Sequence, residues 1–203
     1  MHNCIYVLMK EKSQDKTEKK SKRQDIREEI EIPGDVNAKI ENNVLIIKKG
    51  DTELKRELNS LIEIKIEGNK IILEAKKSTK REKRICGTFA AHIKNSMRGL
   101  NEKFKYKLQA ASVHFPMTLA IDKEKNELVV KNFLGEKTDR RIKLVKGVDV
   151  KIIKDIIEIE SSDKELAGQC SANIEKGTKT RNKDRRVYQD GVYIIEKPGR
   201  TLL

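Results

Sequence analysis

The sequence predicts an α+β fold: two tandem homologous domains, each an antiparallel sheet covered by one helix, followed by a basic C-terminal extension. Three observations predict it. Apolar positions recur at a constant offset of 86, so that Ile62, Ile64, Ile66, Ile71 and Leu73 fall on Val148, Val150, Ile152, Ile157 and Ile159. Both segments, "IEIKIEGNKIILEA" from Ile62 and "VDVKIIKDIIEIES" from Val148, alternate apolar and polar residues around a turn, which is the pattern of a hairpin. Each is followed by a Ser/Thr-x-x-Glu capping box, Thr79 with Glu82 and Ser162 with Glu165, which opens a helix. A strand face cannot bury itself in isolation, and one helix laid across it is the simplest cover.

Taken in order, residues 1–25 contain "KEKSQDKTEKKSKRQD", which has no apolar period and is expected to be a flexible basic extension, disordered or ordered only on binding. The first repeat is assigned to residues 26–101. Its Ile32-Pro33 lies 83 residues before Phe115-Pro116, and its "VLIIKKGDTELKREL" from Val44 resembles "LVVKNFLGEKTDRRI" from Leu128. Its helix carries Ile85, Phe89, Ile93 and Met97 on one apolar face. The second repeat, residues 102–178, opens with "KFKYKLQAASV", in which Phe104, Tyr106 and Leu108 point inward and three lysines outward. Its helix matches the first, "GQCSANIE" from Gly168 aligning with "GTFAAHIK" from Gly87, and its apolar face is Leu166, Cys170 and Ile174. Gly99 and Gly177 stand where a helix end favours a left-handed residue. Residues 179–203 form the extension, attached to the end of the second helix.

Charge points to the partner. The 203 residues hold 45 Lys and Arg against 32 Asp and Glu, a net +13, which calls for a polyanion. Residues 1–25 carry +3 and residues 176–203 carry +5, so the two ends hold more than half of the excess. Other classes find no support. Cys4, Cys86 and Cys170 have neither the number nor the spacing of a disulfide framework or a zinc site. The apolar run "CIYVLM" is too short for a membrane span or a signal-peptide core. His2, His92 and His114 belong to no nucleophile motif, and the last two are expected to be structural; there is no phosphate-cradling glycine loop and no metalloprotease motif. No enzyme, cofactor, metal site, small-molecule substrate or membrane partner is expected.

The extension begins with "TRNKDRRVYQDGVYIIEK" from Thr180. Each cation that neutralises a phosphate releases counterion, and six cations from Lys176 to Arg186 would make binding steeply salt-dependent. Arg185 and Arg186 can clamp phosphate oxygens bidentately, which lysine cannot. Tyr188 and Tyr193 can stack on bases or pack on the domain, and the sequence does not choose between these. Asp190-Gly191 is expected to supply a turn with positive φ, after which "VYII" returns as a short strand. A second basic site is "NFLGEKTDRR" from Asn132, a strand-loop-strand tip from which Lys137, Arg140 and Arg141 would project.

The motifs "GTFAAHIKNSMRG", "HFP", "NFLGEKTDRR", "DKELAGQCSANIE" and "DRRVYQDGVYIIEK", in that order and spacing, resemble the archaeal and eukaryotic branch of large-subunit ribosomal protein six, counted ninth in eukaryotic schemes. The resemblance covers roughly residues 30–197. It implies a cytoplasmic, non-catalytic component of the large ribosomal subunit that binds large-subunit rRNA near the stalk base and the sarcin-ricin loop. Neighbouring ribosomal proteins would be partners, and translational GTPases would dock nearby. Carried over residue by residue, it implies an RNA-facing tail of Lys179, Arg181, Lys183, Arg185, Arg186, Tyr188, Gln189, Asp190, Gly191 and Tyr193, with Lys137, Arg140 and Arg141 in the matching loop. The chain departs from the family pattern at "KKGDTE", where Gly50 and Thr52 replace the Pro and second Gly of a Gly-Pro-x-Gly turn. The alternative from another class is a free RNA-binding regulator or RNA chaperone using the same basic arm.

Overall fold

The computed structural model describes residues 24–50 and 52–202. The expected flexible extension therefore lies outside the described residues as far as Arg23, while Gln24 and Asp25 already belong to the first strand. The first repeat runs β1 (Gln24–Glu31), β2 (Asn37–Glu41), β3 (Val44–Lys49), β4 (Thr52–Glu57), β5 (Glu63–Glu67), β6 (Lys70–Ser78) and α1 (Lys80–Asn101). The second runs β7 (Phe104–Ala111), β8 (Thr118–Asp122), β9 (Glu127–Lys131), a 3-10 turn (Phe133–Gly135), β10 (Arg140–Lys143), β11 (Asp149–Ile153), β12 (Ile156–Ser161) and α2 (Lys164–Gly177). Strands β13 (Gly191–Lys197) and β14 (Arg200–Thr201) follow.

The two copies trace the same circuit, and all their strand pairs are antiparallel. Sheet order β1-β6-β5 corresponds to β7-β12-β11, and β2-β3-β4 to β8-β9-β10. The α+β class and the duplication are thus as the sequence predicts, with the strands of each copy divided between two small sheets. Alternation in a sequence specifies which face of a strand is buried, and says nothing of which strand becomes its neighbour.

The described chain divides into two compact units. The first comprises β1 with Leu58–Ala90. Its central strand β6 is flanked on both sides, with Ile71 facing Ile30 on β1 and Ile66 on β5. Ile71, Ile72, Leu73 and Ala75 are accordingly all buried, as are Cys86 and Ala90 of α1. The predicted capping box forms at Thr79, whose N–H donates to the Glu82 carboxylate at 2.7 Å while its Oγ1 accepts from the Arg81 N–H at 3.3 Å.

The second unit comprises Ile32–Glu57 and the chain from Ala91 onward. Its core is built where α2 lies over the strands: Tyr106, Leu108, Leu128, Val130, Phe133, Ile157, Ile159, Cys170 and Ile174 form one buried cluster. Here the capping box shifts by one residue. The N-cap of α2 is Asp163, which accepts from the Glu165 N–H at 2.9 Å, because Ser161 draws the Asp163 N–H in at 3.2 Å and Arg56 claims both carboxylates at 3.1 and 2.5 Å.

The two glycines expected as left-handed caps do other work, and neither has a positive φ. Gly99 lies inside α1, where a Cβ would come within 1.9 Å of the Ser162 carbonyl oxygen and 2.8 Å of the Phe104 ring. Gly177 ends α2, and a Cβ there would meet Ile142 at 2.6 Å. Both are glycines of close packing.

Candidate nucleic-acid interface

The extension is part of the sheet. After α2, Thr178 is fully buried; its Oγ1 donates to the Ile174 carbonyl at 3.0 Å and accepts from the Val192 N–H at 3.1 Å. This single hydroxyl closes a neck between the helix end and β13. Strand β13 then pairs with β7, Val192 opposite Ala110 and Ile194 opposite Leu108, and Val192 enters the core. What the sequence presents as an appendage is a loop, residues 179–190, held at both ends. The alternation of "VYII" marks the strand, but its partner is a strand 80 residues earlier that no local pattern announces.

The distal end of the loop is held by Asp190, which is 1% exposed. Its carboxylate accepts from the Val113 N–H at 2.8 Å, the His114 N–H at 3.0 Å and His114 Nδ1 at 2.6 Å. Burial alone would raise its pKa; the donors of His114 and Val113 outweigh burial and hold it below the usual aspartate value. An ionised carboxylate only accepts, so the His114 proton sits on Nδ1. Gly191 has no positive φ; it opens β13, and a Cβ there would meet the Tyr193 ring at 3.1 Å. The expected left-handed turn is therefore absent from this position.

Tyr188 packs on the protein, while the Tyr193 side chain is exposed and held by its hydroxyl. The Tyr188 ring stacks on His114 with centroids 4.9 Å apart, and the Lys183 ammonium lies 4.4 Å from its centre. Tyr193 donates its hydroxyl to the Gln189 carbonyl at 3.1 Å. Within the loop Asp184 accepts from the Arg186 N–H at 2.9 Å, and Gln189 reaches the Arg186 carbonyl at 3.3 Å. The outcome is a folded loop whose five cations, Lys179, Arg181, Lys183, Arg185 and Arg186, are all exposed and form no ion pair among the described residues.

The second predicted site abuts the first through Arg140. Its guanidinium grips Glu136 bidentately at 2.8 and 2.5 Å and donates to the carbonyls of Gly177 at 3.3 Å and Lys179 at 3.1 Å. It also lies 3.8 Å over the Phe133 ring. The hydrogen bond from Arg140 holds the Glu136 carboxyl below the usual glutamate pKa. Arg140 thus joins the 132–141 loop to the neck of the tail, and its donors face inward. Lys137 and Arg141 are exposed, Arg141 lying 3.9 Å from Glu127. Three left-handed residues, Asn132, Leu134 and Gly135, give this loop its shape, and Asn132 is tied to the Pro116 carbonyl at 3.0 Å. Beside the neck, Lys176, Lys179, Arg185, Tyr193 and the two buried threonines, Thr178 and Thr180, line a shallow pocket of about 190 Å³.

The sequence could not single out Thr178 or His114. A threonine after a helix is common, and the carboxylate that orients His114 lies 76 residues away. Among the described residues no cluster of His, Cys, Asp or Glu could hold a metal ion, and no helix is long and apolar enough to cross a membrane.

The family model for ribosomal protein L6 matches the chain twice, over residues 32–103 and 115–191. The chain belongs to the ribosomal protein L6 family. The first matched segment holds β2 to α1 and the second β8 to α2, so each covers one copy of the circuit except its first strand, β1 or β7, and the second ends at the start of β13. A protein of Methanococcus vannielii named large ribosomal subunit protein uL6 is 42% identical over 178 residues, which covers 87% of this chain and 97% of that protein. As a member of the ribosomal protein L6 family, the chain is a structural, non-enzymatic component.

Proposed function

We propose that the chain is a constituent of the large ribosomal subunit that binds large-subunit rRNA through the loop of residues 179–190 and the adjoining 132–141 loop, and that it supports translation in the cytoplasm among neighbouring ribosomal proteins. The observation that carries this is the set of five exposed, unpaired cations on a loop pinned at Thr178 and Asp190. A pre-ordered cationic loop binds a phosphate backbone without first losing its own conformational freedom. Lys179, Arg181, Lys183, Arg185, Arg186, Lys137 and Arg141 supply charge. Arg140, Tyr188, Gln189, Asp190, Gly191 and Tyr193 hold the shape that presents it. The position within the subunit is the stalk base beside the sarcin-ricin loop, where translational GTPases dock. In functional terms the chain comprises a basic extension to residue 25, repeats over 26–101 and 102–178, and the RNA-binding segment 179–203.

The test is sedimentation of cell extract through a sucrose gradient at increasing salt, following the chain and large-subunit RNA. Co-migration that survives a high-salt wash is expected. Replacing Arg185 and Arg186 by Ala is expected to release the chain at lower salt with its melting temperature unchanged. A chain found at the top of the gradient, bound to assorted RNAs, would instead be a free RNA-binding regulator or chaperone.

A further inference from the structure

The start of α1 carries a second concentration of positive charge, in the other compact unit. "KKSTKREKR", residues 76–84, places Lys76 at the end of β6 and Lys80, Arg81, Lys83 and Arg84 in the first two turns of the helix. All five are exposed, and none forms an ion pair among the described residues. Folding does not explain them. The N-terminal end of a helix carries the positive pole of its dipole, so cations there are unfavourable, and the like-charged pair Lys80 and Arg84 at i,i+4 adds repulsion. The equivalent point of the second repeat is less cationic: α2 opens with Lys164 alone, between the N-cap Asp163 and Glu165, whereas in α1 only Glu82 stands among the four cations.

A glycine in the same place points outward too. Lys80, Lys83, Arg84 and Gly87 are spaced by three and four and are all exposed, so they share one side of α1, bordering the side on which Cys86 and Ala90 are buried. A glycine inside a helix weakens it relative to alanine. In the second repeat its counterpart Gly168 has an internal reason, since a Cβ there would stand 3.1 Å from the Tyr106 hydroxyl. At Gly87 a Cβ would meet nothing within 4 Å. The backbone is bare at Gly87, one turn beyond the cations, with no described atom near enough to require it, and a bare backbone is what an external partner in close contact requires.

We infer that the start of α1, with Lys80, Lys83, Arg84 and Gly87 on one side and Arg81 and Lys76 beside them, is a second binding surface for the phosphodiester backbone of RNA, separate from the 179–190 loop. The inference rests on the rRNA-binding reading above. A polyanion neutralises four like charges that otherwise repel, and phosphate groups are compact enough to seat against an uncovered helix turn.

Filter binding of the full-length chain to deproteinised large-subunit rRNA over a range of salt tests it. In the variant Lys80→Gln, Arg81→Gln, Lys83→Gln, Arg84→Gln the slope of log affinity against log salt is expected to fall by about 3, from four lost phosphate contacts at roughly 0.7 to 0.9 each. In Gly87→Gln, which adds bulk without charge, affinity is expected to fall severalfold while the melting temperature stays level or rises. A purely structural glycine would move only the melting temperature. An unchanged slope in the quadruple variant overturns the inference, as does a loss confined to binding of poly-glutamate, which would identify an acidic protein as the partner. Arg185→Ala with Arg186→Ala, measured in parallel, separates the two proposals: if the unaltered chain does not bind rRNA the parent reading fails. If only the tail variant loses affinity, the second surface alone fails.

Discussion

Asp190 takes three donors from two adjacent residues, Val113 and His114, and through His114 it sets the ring on which Tyr188 lies. Removing its charge therefore affects the whole distal end of the tail. Asp190→Asn keeps the size but turns one acceptor into a donor facing donors, and hydrogen bonds to a charged group are worth about 1.5 to 3 kcal/mol. A loss of about 2 kcal/mol at neutral pH is expected in chemical denaturation. The pH dependence has a definite sign. Because the folded pKa lies below the unfolded one, the stabilisation is complete above the ordinary aspartate pKa and is lost as pH falls through the lower folded value. The native chain is expected to lose stability in that acid range more steeply than Asp190→Asn. Little of this was legible in the sequence, where Asp-Gly signals a turn. The competing use, a buried carboxylate as a clamp, depends on a backbone turn 76 residues away.

At the scale of elements the sequence is more open, because hydrophobic period and capping residues are local. The duplication, the hairpins from Ile62 and Val148 and both helices follow from alternation and from Thr79 and the Ser162–Glu165 neighbourhood, with the second cap displaced to Asp163, while the order of the strands does not. The glycines are where this logic stops, since a glycine near a helix end is equally compatible with a left-handed cap and with close packing. Gly177 decides for packing, a Cβ there being 2.6 Å from Ile142 Cγ1 and 2.8 Å from its Cδ1. Gly177→Ala is expected to destabilise by about 1 to 3 kcal/mol through overpacking, although alanine is the better helix former. The check is a double-mutant cycle in thermal unfolding: in an Ile142→Ala background the same change should cost far less, or stabilise. Equal costs in both backgrounds would mean that the end of α2 moves away freely.

For the molecule as a whole, what matters is which of its 45 cations the fold leaves unspent. Many are matched across neighbouring strands, as Lys65 with Glu74, Lys105 with Glu160 and Lys107 with Glu196. Cations without an ion pair among the described residues are spread from Lys39 to Arg200, but five stand close together in sequence on the 179–190 loop and five more at the start of α1, the two densest groups for a polyanion to meet. Arg140 tests whether position or charge count governs binding, because it is one cation among many but it joins both loops of the candidate interface. If only charge counted, Arg140→Gln would cost about half the salt slope lost in the Arg185→Ala, Arg186→Ala pair and would leave melting unchanged. Its bidentate grip on Glu136, two backbone acceptors and the Phe133 ring argue otherwise. Leaving Glu136 and two carbonyls without their donor should cost about 2 to 3 kcal/mol in unfolding. It should also reduce rRNA affinity more than either arginine of the tail does alone, since the cations of both loops would lose their fixed spacing. Filter binding over a range of salt and thermal unfolding of the unaltered chain, Arg140→Gln, the two single tail variants and their pair decide it: a small loss of affinity with an unshifted melting curve would mean that the two loops bind independently.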